Sequence, residues 1–182
     1  RDKFSIPIIG MEPAVKPALK VTFNKKVGVL ATSGTSKSAK FSALLERYSG
    51  DIKFFVQPCP GLVNAIEKGN FNDEELIELL QKYLDNFKKN SVDTIVLGCT
   101  HFVYIKHLVK KIMGENIKIV DTSEAVARQL RVKLDQFNLR SNLSESHEKM
   151  KLIFTKDRDI PQVIDQFLSG SNISFKLERS WH

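Results

Sequence analysis

The sequence predicts an α/β protein built on a parallel sheet covered on both faces. Three observations predict it. Short β-branched apolar runs alternate with longer segments of helical period along most of the chain. Several of those runs end in a glycine-, proline-, serine- or threonine-rich turn that leads straight into a helix. The 182 residues are 42% hydrophobic, enough to fill one packed domain or two small ones.

Taken in order, Ile6-Pro7-Ile8-Ile9-Gly10 reads as a strand entered in mid-fold, and the chain has no initiator methionine, so a fragment is expected. Glu12-Pro13 opens a short helix that ends near Pro17 to Lys20. Lys26 to Ala31 is a strand, and the polar turn Thr32 to Ser36 leads into a helix carrying Phe41, Leu44 and Leu45, closed by Gly50. Asp51 to Val56 is the next strand, broken by Pro58-Cys59-Pro60-Gly61 before a helix carrying Leu62, Val63 and Ile66 to Gly69. Asn72 and Glu75 have capping-box spacing, and Leu76, Ile77, Leu79, Leu80, Tyr83, Leu84 and Phe87 then share one helical face. Val92 to Val96 is a strand, followed by a helix through Ile105, Leu108, Val109 and Ile112. Ile117 to Val120 is a strand, followed by a helix from Thr122 to Phe137. Asn138 to Glu148 is polar and without period, a surface loop. Lys151–Thr155, Ile160–Leu168 and Ile173–Leu177 close the chain as strand, helix and strand.

The chemistry concentrates at Leu97-Gly98-Cys99-Thr100-His101-Phe102, where the strand from Val92 ends. Open α/β sheets bind ligands at the carboxyl ends of their strands, so a thiol, a hydroxyl and an imidazole delivered there suggest an active site. In extended chain Cys99 and His101 face one way and Thr100 the other, which puts thiol and imidazole in one cleft. A free thiol has a reference pKa of about 8.5, within reach of both acid and base roles. The competing reading makes Cys99 a small core residue and His101 a structural histidine. The turns Thr32–Ser36, Pro58–Gly61 and Gly98–His101 would share one sheet edge and surround one small ligand, and helix N-termini there would favour a carboxylate.

Composition narrows the classes. No apolar run is long enough for a membrane span and no signal-peptide core follows Arg1, so a cytoplasmic location is expected. Cys59 and Cys99 are the only cysteines, too few for a disulfide framework, and with His101 and His107 they lack the paired spacing of a zinc site. The net charge is +7. Its lysines are scattered over helix faces without a nucleic-acid-binding motif, so a solvated surface is expected and nucleic acid is not.

The segments Gly10-Met11-Glu12-Pro13-Ala14, Gly28–Thr35, Cys59-Pro60, Ile66-Glu67-Lys68-Gly69, Leu97–Phe102 and Val120-Asp121 together resemble the glutamate racemases of the aspartate/glutamate racemase superfamily. The resemblance implies the two-lobed parallel-sheet sandwich of that superfamily, with the first lobe incomplete. Residues 1–9 would end a first-lobe segment, residues 10–124 form the second lobe carrying Cys99, and residues 125–182 the carboxyl-terminal part of the first lobe. It implies cofactor-independent, metal-free interconversion of L- and D-glutamate by two thiols, supplying D-glutamate for peptidoglycan, in a homodimer. Cys99 would be the second thiol, taking the proton from L-glutamate, with His101 assisting. Thr100, one or both of Thr32 and Thr35, and Glu67 would sit at the substrate, while Cys59 would be structural. The family's other cysteine, in a Cys-Asn-Thr segment, has no counterpart in these 182 residues, so this chain alone is expected to be inactive. Val103 also stands where the family usually has proline, which puts the start of the following helix in question. Another amino-acid racemase or a thiol-dependent lyase of the superfamily, or a non-catalytic binding role, are the alternatives.

Overall fold

The computed structural model describes residue 4, residues 6–140, and the backbone of residues 149–154 and 174–179. Four strands, β1 (Lys26–Ala31), β2 (Lys53–Pro58), β3 (Thr94–Leu97) and β4 (Lys118–Val120), form one sheet in the order β2-β1-β3-β4. All three pairings are parallel, with Val29 opposite both Val56 and Val96, and Val96 opposite Val120. The two central strands are almost wholly buried, as expected of strands covered on both faces.

Side-chain alternation divides the core. Val27, Val29 and Val96 pack beneath α1 (Val15–Ala18) and α3 (Ala39–Ser49), with Phe41 and Leu44 as the inward residues of α3. Leu30, Ile95 and Leu97 point to the other face, under α4 (Leu62–Glu67), α5 (Glu74–Lys89) and α6 (Lys106–Met113). A single helical turn, α2 (Ser33–Ser36), precedes α3, and α7 (Ser123–Gln136) follows β4 without burying a residue. Gly28 is required on the α5 side: a Cβ there would stand 2.7 Å from the fully buried Phe87 ring.

Several expectations are corrected. Residues 6–14 hold neither strand nor helix. Pro7 offers no N–H to a ladder, and Ile6 and Ile8 are 66% and 42% exposed. The cap of α5 is Asp73 instead of Asn72, because the Asp73 carboxylate accepts Glu75 N–H at 3.1 Å. Val103 lies inside a 3₁₀ segment, Thr100–Ile105, and the α-helix begins only at Lys106. The carboxyl-terminal strands are present as β5 (Lys149–Phe154) and β6 (Ser174–Arg179), paired parallel to each other in a two-stranded sheet. The expected helix at 160–168 and the loop residues 141–148 lie outside the described residues.

Candidate active site

Chain order and sheet order together locate the site. From β1 the chain crosses to β2 on one side and then returns to β3 on the other, so the direction of winding reverses between β1 and β3. At such a reversal the two following loops turn apart and leave a crevice at the carboxyl edge. Thr32 leaves β1 and Cys99 leaves β3 into that crevice. The cleft between them encloses about 310 Å³, walled by Thr32, Thr35, Gly98, Cys99 and Thr100 and by Met11, Glu12, Pro13 and Thr122.

Gly98 sets how closely the thiol approaches the sheet. Its N–H donates to Leu30 O at 2.8 Å, and a Cβ at Gly98 would stand 2.6 Å from that same backbone oxygen. Only glycine lets β3 stay this close to β1 up to the residue before Cys99. Across the cleft, Thr32 caps α2 by accepting Thr35 N–H at 3.2 Å, and the Thr32 and Thr35 hydroxyls are 3.0 Å apart. One hydroxyl of this pair donates to the other, leaving one proton for a ligand.

The structure keeps the expected neighbours Cys99 and His101 together but places Thr100 differently from the strand alternation. The backbone is extended at Cys99 but turns into the 3₁₀ segment at Thr100, so strand alternation stops there. Thr100 joins Cys99 at the cleft, whereas His101 is not among the cleft's walls and turns toward α4. His101 Nε2 donates to Glu67 Oε1 at 3.1 Å, and its Nδ1 stands 4.0 Å from Cys99 Sγ. A carboxylate only accepts, so the contact with Glu67 favours a proton on Nε2, and in the neutral form of the ring the Nδ1 lone pair then faces the thiol. The structure therefore links Glu67, His101 and Cys99 in a row, with Thr32, Thr35 and Thr100 on the cleft side of the thiol.

Cys59 behaves differently. It is 2% exposed, donates its thiol to Gln57 O at 3.2 Å, and is pushed by burial up to about 12. Those are the properties of a structural thiol. Among the described residues no group of three His, Cys, Asp or Glu side chains could hold a metal ion, and no helix is long and apolar enough to cross a membrane. Sequence reading assigned no role to Glu12 or Thr122, which reach the cleft from segments distant in the chain. The quoted Gly10–Ala14 and Val120-Asp121 segments were the available signal for both.

Residues 1–130 match the Asp/Glu/Hydantoin racemase family. The chain is 48% identical over 134 residues to the glutamate racemase of Ectopseudomonas mendocina, covering 74% of this chain and 51% of that protein. It is 42% identical over 177 residues to the glutamate racemase of Pseudomonas syringae pv. tomato, covering 94% of this chain and 62% of that protein. The chain thus spans between about half and two thirds of the length of these curated relatives. Among solved structures, Escherichia coli glutamate racemase in complex with L-glutamate and the activator UDP-MurNAc-Ala superposes with a TM-score of 0.81 at 25% identity, over 98% of this chain and 66% of that one.

Proposed function

The chain belongs to the Asp/Glu/Hydantoin racemase family, and on that premise we propose that it supplies one half of a glutamate racemase active site, with Cys99 as one of the two acid–base groups that racemisation needs. The observation that carries this reading is the Glu67–His101–Cys99 row at the carboxyl edge of β3, opening on a cleft lined with hydroxyls. Inverting an α-carbon without a cofactor needs a base on one face and an acid on the other. Cys99, as thiolate, removes the α-proton of L-glutamate, and His101, oriented by Glu67, exchanges protons with the sulfur between turnovers. Thr32, Thr35 and Thr100 hydrogen-bond the amino acid's α-substituents. The similarity to a racemase solved with L-glutamate bound supports the substrate.

The racemisation itself requires a second thiol on the opposite face, and Cys59 is buried away from that role. Family resemblance supports the remainder of the proposal: residues 10–124 as the second lobe, residues 125–182 as part of the first, a homodimer, and a cytoplasmic supply of D-glutamate for peptidoglycan. The breadth of the matched family keeps aspartate and hydantoins as the competing substrates. The test is to follow deuterium wash-in at Cα by NMR and optical activity by circular dichroism, with glutamate, aspartate and a hydantoin. The 182-residue chain is expected to exchange the α-proton of L-glutamate without steady loss of optical activity. Exchange with aspartate or a hydantoin but not with glutamate overturns the assignment of substrate, and no exchange with any of them overturns the role of Cys99.

A further inference from the structure

Thr122 occupies the N-cap position of α7 and lines the Cys99 cleft, yet its side chain makes no capping hydrogen bond. Threonine in that position ordinarily turns its hydroxyl onto the first-turn N–H groups. Here the preceding residue does so: Asp121 Oδ1 accepts Ser123 N–H at 3.0 Å. The other oxygen, Oδ2, accepts Lys106 Nζ at 3.0 Å, and the Asp121 side chain is only 15% exposed. Burial acting alone would raise the Asp121 carboxyl, but the Lys106 ammonium and the Ser123 N–H outweigh it and hold the group below its ordinary value.

The placement of this pair matters more than its charge. Lys106 is the first residue of α6, reached from Cys99 through the 3₁₀ segment, and Asp121 directly follows β4. β3 and β4 are hydrogen-bonded neighbours. The ion pair therefore closes a ring that runs from β3 through Cys99 and the 3₁₀ segment to Lys106, across to Asp121, and back through β4. Sheet hydrogen bonds brace one side of the Cys99 turn and the Lys106–Asp121 contact braces the other.

We propose that Asp121 is a positioning residue of the Cys99 cleft: through Lys106 it fixes the turn that carries the thiol, and by capping α7 in place of Thr122 it frees the Thr122 hydroxyl to hydrogen-bond an amino-acid ligand. The identity of that ligand rests on the racemase reading; the brace does not.

The test is site-resolved alkylation of Cys99 by iodoacetamide in the 182-residue chain, read by mass spectrometry, with melting temperature recorded beside it. Asp121→Asn keeps the cap acceptor and removes the charge, Lys106→Met removes the partner, and Lys106→Arg restores it. Asp121→Asn and Lys106→Met are each expected to speed Cys99 alkylation about fivefold by loosening the turn, the double variant no further than either, with Lys106→Arg close to the parent. Alkylation at the parent rate in both single variants overturns the brace, even if melting temperature falls, because a merely structural ion pair would move stability alone. Thr122→Val is expected to raise the L-glutamate concentration that half-protects Cys99 about tenfold, and unchanged protection overturns the Thr122 role. If L-glutamate does not protect Cys99 in the parent chain, the racemase reading and the Thr122 role fall together, while the alkylation rates still decide the brace.

Discussion

Cys99 and Cys59 show how surroundings assign opposite tasks to one residue type. Cys99 is half-buried at a strand end, faces a histidine nitrogen and borders a cleft, whereas Cys59 is sealed in the core and donates to a backbone carbonyl. Exchanging sulfur for oxygen at Cys99 replaces a thiol by a far less acidic hydroxyl without changing the shape of the site much. In an enzyme competent for racemisation, Cys99→Ser should lower turnover of both enantiomers by about 10²–10⁴-fold, the range of a lost general acid–base group. Steady-state rates from L- and D-glutamate, with far-UV circular dichroism to confirm the fold, check this, and a folded variant of near-normal rate removes Cys99 from the mechanism.

Elements meet the site through close contacts that tolerate little change. At Gly28 an added methyl meets the edge of a side chain, Phe87, while at Gly98 it meets the backbone oxygen of Leu30. A ring can tilt, but a strand backbone can yield only by moving the strand. Gly28→Ala should therefore cost about 1–3 kcal/mol, an ordinary overpacking penalty, and leave ligand protection of Cys99 intact. Gly98→Ala should cost at least as much and also abolish protection, since relief requires β3 to part from β1 beside the thiol. Urea unfolding and alkylation of the two variants separate the cases. The correction at the start of α5 has its own test: Asp73→Ala should destabilise by about 1 kcal/mol and Asn72→Ala by much less, measured as shifts in urea midpoint.

For the whole molecule, two carboxylates tie distant segments together and set its response to acid. Asp93 accepts Thr22 Oγ1–H and the N–H groups of Phe23 and Asn24, each at 2.7 Å, pinning the loop before β1 to the start of β3. Asp121 ties β4 to α6. Burial alone would raise both carboxyls, yet the hydrogen bonds outweigh it and hold both below their ordinary values. A carboxyl depressed in the folded state stabilises the fold above its unfolded value, about 3.9 for Asp, and that contribution is lost as pH falls through the lower folded value. Stability should therefore hold from neutral pH to about 5 and then decline. Asp93→Asn should lower stability at pH 7 and flatten the acid decline, as read from urea midpoints across pH, and an acid slope equal to the parent's would rule out this role for Asp93.

The succession of elements, the strand limits of β1 and the delivery of Cys99 at the end of β3 were legible in the sequence. They depend on period, β-branching and glycine, which act over a few neighbouring residues. The same local rules misplaced residues 6–10, where apolar composition suggested a strand but no described strand pairs with it. They also turned Thr100 away from the cleft, because they assumed extended backbone through His101 where the chain enters a 3₁₀ segment at Thr100. What lay beyond local pattern was the order β2-β1-β3-β4, and with it the reversal that opens the crevice beside Thr32. The Glu67–His101 contact joins residues 34 apart in sequence, and the Lys106–Asp121 contact joins residues 15 apart. Such contacts exist only after helices have packed on particular faces of the sheet, since it is burial of the apolar faces, more than any local preference, that brings those polar groups within bonding distance.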